Sequence, residues 1–215
     1  MKPATVILAD GDFPVRPEPL AVLRRARRIV CCDGAARKLR AAGLTPAAVV
    51  GDLDSLPAAL KRLYADRLVH DPGQTDNDLA KSFRYCLRRG WRDLTVLGAT
   101  GRREDHALGN LSLLVDFARE ARVRLVTDHG LFLPLLKSGR IPSRPGQPVS
   151  VFSFDPGTAI TSTGLAYPLR RLRLTRWWQA ALNTATGRRI ELRFTGGPLL
   201  VFLAHVRKPA PGSVG

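Results

Sequence analysis

The sequence predicts an α/β domain with a doubly wound, mostly parallel sheet, followed by a small all-β sandwich domain. Three observations predict it. Short apolar runs alternate with helical patterns up to about residue 128, as repeated βαβ units do. Those runs are near-continuous rather than alternating, which is the pattern of strands covered on both faces. Beyond about residue 136 the helical periodicity stops, and short strands separated by Gly and Pro take over, as in a sandwich. The expected division is 1–136 for the α/β domain and 137–215 for the β-sandwich.

In chain order, strands are expected at TVILA (5–9), RIVCC (28–32), AAVVGD (47–52), RLVH (67–70), LTVLGA (94–99) and VRLVT (123–127). GAARKLRAAG (34–43) reads as a helix. NDLAKSFRYCLRRG (77–90) is a second, with Leu79, Phe83, Cys86 and Leu87 on one face. Asp76 or Asn77 caps its start and Gly90 suits a left-handed stop. EDHALGNLSLLVDFAREA (104–121) sets Leu108, Leu111, Leu114, Val115 and Ala118 on one side of a third. KSGRIPSRPGQP (137–148) reads as a linker or boundary turn. The sandwich strands are VSVFSF (149–154), AITSTG (159–164), RRIELRF (188–194) and PLLVFLAH (198–205), and the tail RKPAPGSVG (207–215) reads as mobile.

The bulk numbers narrow the function classes. At 215 residues, 45% hydrophobic and 24% charged, the chain can bury a core of ordinary globular composition. No apolar run approaches a membrane span, so no transmembrane helix is expected. Acids follow the first apolar run where small residues would mark a cleavage site, so that run reads as a strand and not a signal peptide. Cys31, Cys32 and Cys86 show no zinc spacing and read as buried thiols of a cytoplasmic protein. The formal charge is +16, and 13 of the 18 acids precede Asn110. Such a basic chain suits polyanionic partners. Interleaved aromatic and basic motifs are missing, so nucleic acid is not the expected one.

Carboxylates sit at the ends of several expected strands, where open parallel sheets bind ligands. These are Asp33, the pair Asp52 and Asp54, the group Asp71, Asp76 and Asp78, and Asp105 beside His106. If the third strand persists through Asp54, the Asp52 and Asp54 side chains point the same way. They would then repel unless a cation lies between them, and Mg²⁺ suits carboxylates shared with phosphates. The alternative is an Asx-turn that caps the next helix. In GATGRREDH, Gly98 and Gly101 allow the backbone close to an anion, and Arg102 and Arg103 add charge-assisted bonds. His70, His129 and His205 read as structural. Tyr167, Trp177 and Trp178 read as core, interface or ring-stacking aromatics.

Together these stretches resemble the thiamine pyrophosphokinase family over roughly residues 5–205. DGAARKL is similar to its DGGANRL stretch and VVGDLDS to its GDFDS motif. QTDNDLAK resembles its glutamine-to-aspartate stretch, matching Gln74 and Asp78. GATGRREDHALGN resembles its GxxGxRxDHxLxN motif, matching Arg103, Asp105, His106 and Asn110. STGLAYPL looks like the start of its thiamine-binding domain.

The resemblance implies transfer of a diphosphoryl group from ATP to thiamine, and a homodimer with active sites between subunits. It implies Asp52, Asp54 and Asp78 as Mg²⁺ ligands near the β- and γ-phosphates. Asp33, Gln74 and Arg103 would position substrates and phosphates, with Gly98, Gly101 and His106 in the nucleotide site. Ser162, Thr163, Tyr167 and Asn183 would face thiamine. Asp78 and Asp105 both stand as candidates to take the hydroxyl proton. Two positions depart from the family pattern: Leu182 precedes Asn183 where a Ser is usual, and Tyr167 stands where relatives often have Trp. The rival readings are a metal-dependent nucleotide-sugar transferase using D-x-D and a basic nucleic-acid-binding protein.

Overall fold

The computed structural model describes residues 5–206; the RKPAPGSVG tail lies outside them. The chain divides into two units between Asp128 and His129.

The first unit alternates strand and helix: β1 (Thr5–Leu8), α1 (Pro17–Arg24), β2 (Ile29–Cys32), α2 (Ala35–Ala41), β3 (Ala48–Gly51) and α3 (Ala58–Leu63). There follow β4 (Leu68–His70), α4 (Asp78–Arg88), β5 (Asp93–Leu97), α5 (Glu104–Phe117) and β6 (Arg122–Val126). The sheet runs β6-β5-β1-β2-β3-β4 with every pair parallel. Strands β1, β2 and β3 are buried along their whole length, which is why they read as unbroken apolar runs. Order reverses between β1 and β5, and the crevice outside their C-terminal ends is where such sheets take ligands.

α4 is built as its sequence indicates. Asn77 Oδ1 accepts the Ala80 N–H at 2.9 Å, and Gly90 ends the helix at φ +73°. α5 differs in one respect. Leu108, expected on the apolar side, is exposed, and burial begins only at Leu114. α1 and α3 had no counterpart in the sequence reading; both are short, and α1 starts on Pro17, a residue pre-shaped for the first helical turn.

The second unit comprises β7 (Gly130–Leu135), β8 (Gly139–Pro142), β9 (Pro148–Ser153), β10 (Ala159–Thr163), β11 (Leu172–Arg173), β12 (Asn183–Thr184), β13 (Arg189–Thr195) and β14 (Leu199–Ala204). They form two antiparallel sheets, β12-β9-β14-β7 and β11-β10-β13-β8. Val149, Val151, Ile160, Ile190, Leu192, Leu199 and Val201 make the core between them.

Two expectations are corrected here. Residues 130–135 pair with β14 along their whole length, so the second unit starts eight residues before the expected boundary. The supposed linker contains β8, which pairs with β13. β8 is an edge strand, where Pro142 removes no ladder hydrogen bond.

Candidate active site

A cavity of about 460 Å³ opens at the C-terminal edge of the parallel sheet. Asp10 and Gly11 after β1, Cys32 at the end of β2 and Asp52 after β3 line it. So do Gln74, Asp76 to Leu79 and Lys81 around the start of α4, and Gly101, Arg102, Arg103, His106 and Asn110 after β5. Of the sequence-predicted residues it gathers Asp52, Gln74, Asp78, Gly101, Arg103 and His106. A wider depression of about 630 Å³ on the outer face of the β8–β13–β10 sheet holds none of them.

The Asp52–Asp54 stretch is not the continued strand that the side-by-side carboxylate argument required. β3 stops at Gly51, and Leu53 turns the backbone at φ +66°. The Asp54 N–H donates to Asp52 Oδ1 at 3.1 Å, forming an Asx-turn, and Asp54 stands exposed outside the cavity lining. The turn does not cap α3, whose N-cap is Pro57.

Asp33 lies beneath the cavity, 2% exposed, with φ +26°. Its Oδ2 accepts the Ser55 N–H at 3.0 Å, while the buried Oδ1 has no hydrogen-bond partner. Gly51 leaves room for the Asp33 and Asp78 side chains on either side of it: a Cβ there would sit 3.0 Å from Asp33 Cβ and 3.2 Å from Asp78 Oδ1. Burial pushes the Asp33 carboxyl above its ordinary range, and the Asp52 charge adds to the push. The Asp78 carboxyl is raised for the same reason, desolvation first. Lys81 opposes that rise, and Asp52 and Asp33 add to it. This is an acidic pocket short of positive charge.

Across the cavity the surroundings are cationic. Arg103 grips Asp105 through two hydrogen bonds, at 3.1 and 2.6 Å. That grip and the His106 N–H hold the Asp105 carboxyl down at about 2. Gly98 and Gly101, at φ +66° and +80°, serve close loop packing. A Cβ on Gly98 would lie 2.6 Å from the Ala9 carbonyl, and one on Gly101 would overlap the Asp12 carboxylate. Asn77 donates to Asn110, and Asn110 donates to the Ala99 carbonyl, so one asparagine pair ties the start of α4 to the loop after β5. Asp71 and Asp76 both pair with Arg84 and brace the approach to α4.

In the second unit the four expected thiamine residues separate. Ser162 faces the sandwich core, where its Oγ accepts the Leu169 N–H. Thr163, one residue on, faces out. Asn183 is buried; its Oδ1 accepts the Tyr167 and Thr184 N–H groups and its Nδ2 donates to the Tyr167 carbonyl. Asn183 therefore fixes a loop whose Tyr167 ring is 72% exposed. Leu182, 90% exposed at φ +59°, and Trp178 stand exposed in the same unit. Trp177 packs edge-on against Phe152 and Phe154.

The family model described as the thiamin pyrophosphokinase catalytic domain matches residues 20–127, and the one described as its substrate-binding domain matches residues 130–202. The chain belongs to the thiamin pyrophosphokinase family. A Caenorhabditis elegans thiamin pyrophosphokinase 1 is 30% identical over 127 residues, 52% of this chain and 52% of that protein. The Bacillus subtilis (strain 168) thiamine pyrophosphokinase is 29% identical over 145 residues, 62% of this chain and 66% of that protein. The chain thus spans between about half and two thirds of the curated relatives it matches. Among solved structures, a thiamin pyrophosphokinase family protein from Enterococcus faecalis superposes with a TM-score of 0.79 at 21% identity, covering 95% of this chain and all of that one. A thiamin pyrophosphokinase from Geobacillus thermodenitrificans gives 0.78 at 22%, covering 94% and 98%. At such identities the likeness establishes the fold.

The thiamin pyrophosphokinase motifs account for part of the cavity; Asp10 lies outside them, and Lys81, the last residue of QTDNDLAK, was given no role. Asp10 follows β1 as Asp33 follows β2, so the same strand-end argument would have found it. It pairs with Lys38 at 2.9 Å and Arg102 at 3.1 Å. Lys38 lies within DGAARKL and outside the cavity lining. Lys81 is 3% exposed; its signal was a charge close to the apolar face of α4, visible only once the helix register is known.

Proposed function

We propose that this chain transfers a diphosphoryl group from ATP to the hydroxyl of thiamine, giving thiamine diphosphate and AMP. The observation that carries the reading is the single cavity that collects Asp52, Gln74, Asp78, Arg103, His106 and Asn110 from three separate motifs. It lies at the sheet edge where this architecture binds nucleotides.

The donor set suits Mg²⁺. The Asp52 charge raises the cost of ionising Asp33, the Asp52 and Asp33 charges raise that of Asp78, and a buried Asp33 oxygen lacks a partner. Among the described residues no group of three or more His, Cys, Asp or Glu is arranged to hold a metal by itself. Mg²⁺ characteristically takes one or two carboxylates and completes its shell with water and substrate phosphates. Asp52 and Asp78 would hold it; Asp54, which the family motif also names, stands outside the cavity lining. Bound there, Mg²⁺ supplies charge withdrawal from the transferring phosphates.

The chain's own residues bind and orient. Arg103, held flat by Asp105, presents its remaining N–H donors to phosphate oxygens. Gln74 and His106 border the same space. Asp105, with its carboxyl near 2 and both oxygens engaged, serves Arg103 and not the hydroxyl proton. The thiamine oxygen attacks the β-phosphorus, the bond from that phosphorus to the oxygen it shares with the α-phosphate breaks, AMP leaves with that oxygen, and the hydroxyl proton passes to water. Positioning and electrostatics suffice for such a transfer. Tyr167 offers a ring face to the thiamine cation, on a loop that Asn183 fixes.

The exposed Tyr167, Trp178 and Leu182 support a homodimer with its active sites between subunits. The free, buried Cys31, Cys32 and Cys86 suit a reducing cytoplasm. No helix of the described residues is long and apolar enough to cross a membrane. Chromatography of reactions containing Mg-ATP with and without thiamine tests the reading. AMP should appear only with thiamine, together with thiamine diphosphate. ADP with thiamine monophosphate would refute the bond assignment, and ATP consumption indifferent to thiamine would refute the acceptor.

A further inference from the structure

Lys81 sits one turn into α4, three residues after Asp78, on the same face of the helix. Its side chain is 3% exposed, although it borders the cavity. Asp78 in front of it is 33% exposed. The first turn that carries both residues is pinned at three points. Asn77 accepts the Ala80 N–H, the Lys81 N–H donates to the Asn77 carbonyl, and Asn77 Nδ2 donates to Asn110. The ammonium is therefore held by the fold and is not a surface group that has folded inward.

The other cations in and around the cavity are paired elsewhere. Lys38 and Arg102 pair with Asp10, Arg103 pairs with Asp105, and Arg84 pairs with Asp76 and Asp71. Among the described residues, Lys81 alone forms an ion pair with the Asp33–Asp52–Asp78 group, through Asp78 Oδ1 at 3.4 Å. That distance exceeds the roughly 2.7–2.9 Å of a charge-assisted hydrogen bond. The contact is mainly one of charge, and a stronger partner can displace it.

We propose that Lys81 is the resident counterion of the nucleotide pocket. Before a metal binds, its ammonium fills the role that a divalent cation takes over. When Mg-ATP enters, Asp78 turns to the metal and the Lys81 N–H donors turn to a phosphate oxygen. The inference rests on the metal-nucleotide reading above and assigns that site a positioning residue. It makes the metal alone and the metal-nucleotide respond to Lys81 in opposite directions. A fixed positive charge a few ångströms away opposes a bare Mg²⁺ and attracts a triphosphate.

The test is calorimetric titration of wild type and Lys81→Met, first with MgCl₂ alone and then with Mg²⁺ and a non-hydrolysable ATP analogue. Thermal melts across the same MgCl₂ series run in parallel. Lys81→Met should bind Mg²⁺ alone about tenfold more tightly and the Mg-nucleotide about tenfold more weakly. Its melting temperature should be low without metal and recover with MgCl₂ by more than wild type gains. Lys81→Gln is the second variant, should Lys81→Met fail to fold. It removes the charge but keeps a donor for Asp78, and the same opposed shifts are expected.

Equal Mg²⁺ affinity in variant and wild type, with nucleotide binding unchanged, would overturn the proposal and leave Lys81 a structural ion-pair partner. If wild type binds no Mg²⁺ with or without nucleotide, the metal reading falls and this inference falls with it. The two failures are therefore distinguishable.

Discussion

At the scale of single residues, the chemistry depends on carboxylates kept where water would not leave them. Asp33 shows the cost. Its folded pKa is raised, mainly by burial, so the protonated form is the one the fold prefers. Its contribution to stability is present below the unfolded value of about 3.9 and is lost as pH rises through the raised folded value. At neutral pH the ionised side chain works against folding. Asp33→Asn keeps an acceptor for the Ser55 N–H and removes the charge. Its melting temperature should exceed wild type at pH 7, the gap should close below about pH 4, and turnover should fall. Melts at the two pH values decide it; a lower melting temperature at pH 7 would show the charge to be compensated. Tyr167 makes a second test. With its ring exposed and its backbone fixed by Asn183, Tyr167→Ala should raise KM for thiamine by about three- to tenfold and leave KM for ATP unchanged. Equal changes in both would mean that the ring supports the fold. The sequence reading put Asp52 at a strand end where it does border the cavity, but its geometry was not readable. The turn at Leu53 depends on a left-handed backbone that a leucine does not announce.

At the scale of elements, the start of α4 matters most to the site, because Asp78 and Lys81 ride on one capped turn. Asn77→Ala removes the cap and the link to Asn110. It should cost about 1 kcal/mol in denaturant unfolding and lower turnover by more than that loss of folded protein explains. Turnover that simply tracks the folded fraction would contradict the positioning role. This cap was legible in the sequence because it is local: a polar residue, an apolar stripe and a terminal glycine. The strands of the parallel sheet were legible for a similar reason, since burial on both faces leaves unbroken apolar runs. β7 and β8 were not. β7 is defined by its partner β14, about 70 residues further along, and β8 carries a proline and a glycine that read as turn chemistry. Strand identity there comes from pairing, which no local pattern encodes. Ser162 and Asn183 illustrate the same limit. Both fall in family-like stretches, yet the alternation of β10 and the fold of the Tyr167 loop turn them inward to satisfy backbone groups.

At the scale of the whole molecule, the α/β unit followed by the β-unit was legible from the change in periodicity, while the position of the division was not. The proposed function needs both units, since the nucleotide cavity lies in one and the exposed aromatic loop in the other. The proposed dimer predicts a sedimentation mass near twice 23.5 kDa. Leu182→Asp should lower that mass toward the monomer and lower turnover with it. A monomeric wild type that remains fully active would refute the shared site. Association should resist salt, because the exposed groups offered as its contact are apolar and aromatic. The measurement that tests the central claim most directly is phosphorus NMR of the wild-type protein with Mg-ATP and thiamine, run beside Asp78→Asn. The account predicts AMP and thiamine diphosphate rising in equal amounts, stopped by EDTA and slowed at least about a hundredfold in Asp78→Asn. Diphosphoryl transfer that persists in EDTA, or at the wild-type rate in Asp78→Asn, would contradict it.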